Sequence, residues 1–280
     1  MNPTSPANDT SRRSEPPFWV RQFKYITAKQ EGHILEITIN RPERYNALQG
    51  PAHRELHEIF DEYERDPNLW VAILTGAGDK AFCSGNDLKA TKEGEDIEPG
   101  PSGFGGLCNR WGREKPVIAS VNGIAMGGGC EIVLACDIAV ADPHAKFALP
   151  EVKVGLFAAA GGVQRLTRQI GRKAAMELVL TGRQIDAERA LALGMINHVA
   201  GEGETALAVA RKIAQEITMA SPVAVRASKR VLNYLEEHCE KLPDALATST
   251  KEFQAVINSN DGKEGVAAFV EKRAPQWTNS

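Results

Sequence analysis

Apolar and polar positions change period repeatedly along the chain, and each change marks an element. Phe23–Lys29 and His33–Asn40 alternate about Glu31-Gly32, which predicts a hairpin, and Pro42 ends its second strand. Pro51–Arg65 carries Leu56, Ile59, Phe60 and Tyr63 at helical spacing, with Pro51 suited to a first turn. Trp70–Gly76 (WVAILTG) and Val117–Val121 are unbroken apolar runs, the pattern of buried strands. A helix-like run, Cys130–Cys136, is followed by short strands at Ile138–Ala141 and Lys146–Leu149. Cys108–Arg113 is expected to belong to a helix leading into Lys115-Pro116.

Farther on, Gly171 separates helices at Gly162–Ile170 and Lys173–Leu180. Asp186–Leu193 reads as a short helix and Met195–Val199 as a strand. Helical patterns then run through Glu204–Met219, Pro222–Glu237, Leu242–Ile257 and Gly262–Lys272. Strands alternate with helices first and helices dominate later, which predicts an α/β core with a helical C-terminal extension. Ala90–Gly106 is rich in acids, proline and glycine and reads as a loop, either a solvated insertion or a substrate lid.

Composition narrows the class. The 280 residues are 42% hydrophobic and 25% charged, ordinary for a globular protein, and a net charge of −3 offers no basic field for nucleic acid or anionic membrane. No apolar run approaches a membrane span. The cysteines at 83, 108, 130, 136 and 239 form neither CxxC nor metal-type spacing and read as free thiols. Residues 1–17 are rich in Ser, Pro, Asn and Thr and are expected to be a disordered tail. The cytoplasm is the default location.

Candidate chemistry gathers in Val117–Glu151. The strand ending at Asn122-Gly123 is followed by Gly127-Gly128-Gly129 and a helix start carrying Glu131; Glu151 follows Leu149-Pro150. Unpaired N–H groups at a helix start favour negative charge, so Glu131 is electrostatically at home there whatever else it does. A second glycine turn, Cys83-Ser84-Gly85-Asn86, follows the WVAILTG strand. Two such turns presenting backbone N–H groups to one carbonyl oxygen would form an oxyanion hole. His53 and His57 share a helix face, but the residue after His53 is Arg54, not the acid of HExxH, and no third ligand is evident, so no metal site is expected. GxSxG and a strand-linked GxGxxG are absent. Cys83 is read as a small buried thiol.

With these residues in view, the chain resembles the crotonase family, the enoyl-CoA hydratase/isomerase group, from about Tyr25 to Trp277. The resemblance is carried by Asn40-Arg41-Pro42…Asn46-Ala47-Leu48, Ala81–Lys89, Lys115–Ala119, Gly127–Glu131, Pro150-Glu151, Gly161-Gly162, Thr181-Gly182 and Phe269–Arg273, in family order. It implies an α/β spiral of ββα units over residues 18–200, with a helical C-terminal region, 201–280, that assembles a homotrimer or a dimer of trimers.

It also implies a CoA thioester as substrate, with no metal or redox cofactor. Glu131 would activate water and Glu151 would handle the α-proton. Backbone N–H groups of Asn86 and Gly128 would form the oxyanion hole. Lys89 and Lys272, with Arg44 and Ser84, would contact CoA. Asn86 stands where a small residue is commoner, and Ala158-Ala159 replaces a Pro-Gly pair usual in hydratases. The third carboxylate of dienoyl-CoA isomerases is absent. Ala90, Glu93-Gly94, Gly103–Leu107 and Phe147–Glu151 look like the carnitinyl-CoA dehydratase subgroup. The expected activity is enoyl-CoA hydration. The rivals are Δ3–Δ2 isomerisation, carnitinyl-CoA dehydration, and a non-catalytic RNA-binding relative, for which the Arg165, Arg168, Arg172, Lys173 cluster speaks.

Overall fold

The structure, a computed structural model, describes residues 21, 23–238 and 242–280. The expected disordered tail at 1–17 and Cys239 lie outside the described residues. Strands β1 (Ile26–Glu31) and β2 (Ile34–Ile39) form the expected hairpin, in antiparallel register from Ile26↔Ile39 to Glu31↔Ile34. Helix α1 (Gly50–Arg65) turns its apolar stripe, Leu56, Ile59, Phe60 and Tyr63, into the core. Strands β3 (Val71–Gly76), β5 (Val117–Val121) and β7 (Ile138–Ala141) extend the β2 edge in parallel, and β10 (His198–Val199) closes the far edge.

The strands between them build a second sheet. It runs β4 (Ala81–Cys83), β6 (Ile124–Met126), β8 (Lys146–Ala148) and β9 (Ile185–Asp186). Each pair β3–β4, β5–β6 and β7–β8 therefore gives one strand to each sheet. Helices follow these pairs: α2 (Leu88–Lys92), α3 (Gly128–Ala135) and α4 (Gly162–Ile170), then α5 (Arg172–Thr181) and α6 (Ala187–Ala192). This is the ββα spiral that the resemblance implied.

The unbroken apolar runs are explained by burial on both faces. Side chains alternate across a strand, so Ala72 and Leu74 of β3 enter the main core while Val71 and Ile73 enter a second cluster. Val117, Ala119 and Val121 part from Ile118 in the same way. The second cluster is covered by α7 (Ala206–Thr218), which lays Ala206, Ala210 and Ala214 on the sheet. Alanine every fourth residue lets the helix approach closely. Helices α8 (Pro222–His238), α9 (Leu242–Asn258) and α10 (Asn260–Glu271) follow and pack on one another.

Two local expectations are corrected. Cys108–Arg113 is not helical but a series of turns. Gly105, Gly106 and Gly112 all have φ between 63° and 74°, which breaks any helix through the segment. Met195–Val199 is strand only at His198–Val199; Met195 and Ile196 fill the core, and Asn197 meets Ala139 partly through its side chain.

Candidate active site

The glycine triplet is required mainly by close approach. Only Gly127 of the three has positive φ, 54°. A Cβ on Gly128 would run into the Phe104 ring, and one on Gly129 into the Cys83 carbonyl. The start of α3 is thus pressed between the end of β4 and Phe104. Gly85, at φ 96°, completes the contact: a Cβ there would lie 2.8 Å from Met126 O and 3.3 Å from Gly128 N. The two glycine turns meet back to back, with Gly85, the residue before Asn86, against the start of α3 at Gly128. Among the described residues neither N–H has a protein acceptor.

The Asn86 turn is framed by residues singled out in the sequence only for resemblance. Asn46, buried at φ 54°, accepts from Arg41 N at 2.9 Å and donates to Ala77 O at 3.0 Å and Ala81 O at 2.7 Å. Leu48 brackets Asn86: its N–H donates to Gly85 O, and its carbonyl accepts from Asp87 N, both at 2.9 Å. Asp87 pairs with Arg41 at 3.1 Å and accepts from Lys89 N and Ala90 N at the start of α2.

Glu131 lies in the first turn of α3 and is only 3% exposed. Its Oε1 accepts the Gly162 N–H at 2.8 Å, so the carboxylate caps the N-terminus of α4. Burial pushes its pKa up to about 7; the Gly162 N–H opposes this, and the charge of Glu151 adds to it. Glu151 opens a 3-10 turn after β8, and burial raises its pKa too. The two acids flank Gly127. Glu131 N donates to Gly127 O at 3.0 Å, and Glu151 Oε1 would lie 3.2 Å from a Cβ on Gly127. Glu151 Oε2 and Asn86 Oδ1 are buried without a partner among the described residues.

The four expected CoA contacts divide. Ser84 N donates to Tyr45 O at 3.0 Å, which sets Ser84 beside the residue that follows Arg44, next to the Gly85-Asn86 turn, and Lys89 is exposed on the short helix that follows it. Lys272 stands past the end of α10, which packs on α8 and α9, and no hydrogen bond or ion pair among the described residues joins it to the other three.

Other candidates take different roles. Burial pushes the Cys83 thiol up to about 12, and its sulfur accepts from Gly85 N at 3.4 Å, as a packed thiol would. His53 Nδ1 accepts from Gly105 N at 3.1 Å, and its ring meets Phe104 edge-on at 4.5 Å, while His57 Nδ1 lies 2.7 Å from Ser102 Oγ. Arg165 is withdrawn from the cationic cluster: its guanidinium donates to Ala160 O and Cys108 O. Gly162 and Arg165 were missed as site residues. Gly161-Gly162 opening a helix was the legible signal, since it repeats the anion-favouring logic applied to Gly127–Gly129.

Comparison with known proteins identifies the family. The enoyl-CoA hydratase/isomerase family profile matches residues 29–280. A carnitinyl-CoA dehydratase of Escherichia coli O157:H7 is 42% identical over 252 residues, 89% of this chain and 96% of that protein. The crystal structure of an enoyl-CoA hydratase from Mycobacterium tuberculosis H37Rv superposes with a TM-score of 0.86 at 42% identity, covering 91% of this chain and 99% of that one. A carnitinyl-CoA hydratase structure from Mycobacterium avium gives 0.72 at 42% identity over the same shares. With the ββα spiral and the family profile spanning nearly all of it, the chain belongs to the enoyl-CoA hydratase/isomerase family, an enzyme of the hydratase/dehydratase lyase type.

Proposed function

We propose that the chain adds water reversibly across the double bond of a 2-enoyl-CoA thioester. The observation that carries this reading is the pair of acids about Gly127, Glu131 buried and held near neutrality at about 7, Glu151 half-buried with its own pKa raised by burial. The thioester carbonyl would take the Asn86 and Gly128 N–H groups. Ionised Glu131 would remove a proton from water as its oxygen bonds to C3. The electron pair of the C2–C3 bond passes toward the thioester oxygen, where negative charge gathers between the two amides. Protonated Glu151 would then deliver its proton to C2. Both acids acting from one side give syn addition. Exchange with solvent resets them, so the sum is one water added. A pKa near the working pH suits such a base. The chemistry needs no metal or redox group from the protein, and CoA enters as part of the substrate. Lys89, Arg44 and Ser84 would meet its phosphates and adenosine. Lys272, past the end of α10, would add a further cation for the phosphates, from the same chain or from another copy in a homotrimer or dimer of trimers.

A second reading, favoured by the relatives named carnitinyl-CoA dehydratase, keeps this chemistry and changes the acyl group. The unpartnered Asn86 Oδ1 supports a polar acyl substituent. Isomerisation would use one carboxylate and leave Glu131 idle. A non-catalytic RNA-binding role loses support from the engagement of Arg165 with backbone carbonyls. The test is loss of absorbance of the conjugated thioester across acyl-CoAs differing in length, branching and charge, carnitinyl-CoA dehydration included. Hydration of none of them, with no reverse reaction, would refute the proposal.

A further inference from the structure

A cation stands where helix electrostatics disfavours one. Arg165 lies in the first turn of α4, at the positive end of its dipole. Its guanidinium folds back over that turn, donating from Nη1 to Ala160 O at 3.3 Å and from Nη2 to Cys108 O at 2.7 Å. Gly161, at φ 101°, lies beneath it, and a Cβ there would run into Nη1. The Trp111 ring covers the guanidinium, with Cζ 5.2 Å from the ring centroid. A side chain that breaks a local preference, and is anchored this closely, has a reason beyond solvation.

The backbone it anchors is the one that holds Glu131. Gly162, next to Gly161, donates its N–H to Glu131 Oε1 at 2.8 Å. We propose that Arg165 is a positioning residue for Glu131: by bridging Ala160 O and Cys108 O it fixes the Ala160–Gly162 backbone that presents N–H groups to the carboxylate. Its charge acts in the same sense, since Arg165 and the Ala160 and Gly162 amides all favour the ionised carboxylate against burial. Hydration needs that ionised form, so the inference rests on the reading of Glu131 as base.

Two variants separate bridge from charge. Arg165→Gln removes both; Arg165→Lys keeps the charge but cannot span both carbonyls with one nitrogen. The Glu131 carboxyl is titrated by carbon NMR, assigned by its loss in Glu131→Gln, while kcat and KM for a 2-enoyl-CoA are followed against pH. In Arg165→Gln the titration and the acid limb of kcat/KM should rise together by roughly half a unit or more, with kcat down about tenfold and KM within about twofold. In Arg165→Lys kcat should fall while the titration stays nearer the wild-type value. An unmoved Glu131 titration in folded Arg165→Gln overturns the proposal, as does undiminished kcat in Arg165→Lys. If the titration moves and the acid limb does not, positioning stands and the base role of Glu131 falls. Should Arg165→Gln not fold, Trp111→Ala supplies the test by exposing the guanidinium to water, which screens its charge. The Glu131 titration then rises if the proposal holds and stays put if it is wrong.

Discussion

Arg41 and Asp87 meet at 3.1 Å, 46 residues apart in sequence, with both side chains less than 10% exposed. Asp87 follows Asn86 directly, so this pair holds the turn that carries the amide proposed for the oxyanion hole. Breaking a buried pair strands a charge, at a cost of about 3–5 kcal/mol. Arg41→Met and Asp87→Leu should each lower stability on that scale in urea unfolding, and the double variant should recover part of the loss. Additive losses would mean that the two groups do not act as a pair.

Glu131→Gln and Glu151→Gln keep volume but cannot carry the proton. Each should lower kcat by at least about a hundredfold, and the double variant should fall little further. Enoyl-CoA binding should persist in both, because the Asn86 and Gly128 amides are main chain. An active Glu131→Gln hydratase, read by thioester absorbance, would sink the two-acid mechanism.

The buried Glu131 also predicts a pH dependence of stability. Its pKa is raised from 4.5 to about 7, so the folded state holds a proton that the unfolded state has released. That contribution is present in full below about 4.5 and is lost as pH rises through about 7. The difference corresponds to ~3 kcal/mol. Glu131→Gln, which cannot ionise, should therefore raise Tm relative to wild type at pH 8 and not at pH 4.5. Equal effects at both pH values would contradict the burial argument.

Lys89→Ala should raise KM for every CoA ester by a similar factor, since the phosphates are common to all, and leave kcat largely unchanged. A change in acyl preference at constant CoA affinity would remove Lys89 from the CoA site.

Ala210 is fully buried between α7 and the sheet residues Val71, Ile73, Ile118 and Val140. Ala210→Leu should push the helix off the sheet and cost about 1–3 kcal/mol. An unchanged urea midpoint would show that the contact has room to spare.

The elements that local chemistry controls were readable in order. WVAILTG has the pattern of a strand buried on both faces and is one over Val71–Gly76, α1 displays its apolar stripe every three to four residues, and the glycine turns at 85 and 127 stand where expected. Short-range sterics and burial period decide such features, and both are written in neighbouring residues. The segment at Cys108–Arg113 failed because Leu107 and Cys108 are buried from a turn, and six residues are too few to separate that from a helix. The division of successive strands between two sheets was absent from any period and came to the sequence only through resemblance.

Tertiary structure alone decided why the site is built as it is. Arg41 reaches Asp87, Gly162 reaches Glu131 and Arg165 reaches Cys108 across gaps in sequence that no pattern spans. The pKa of Glu131 near 7 arises in the same way. An acid in a helix's first turn is expected to ionise easily, and only the packing around α3 and α4, by excluding water, reverses that expectation.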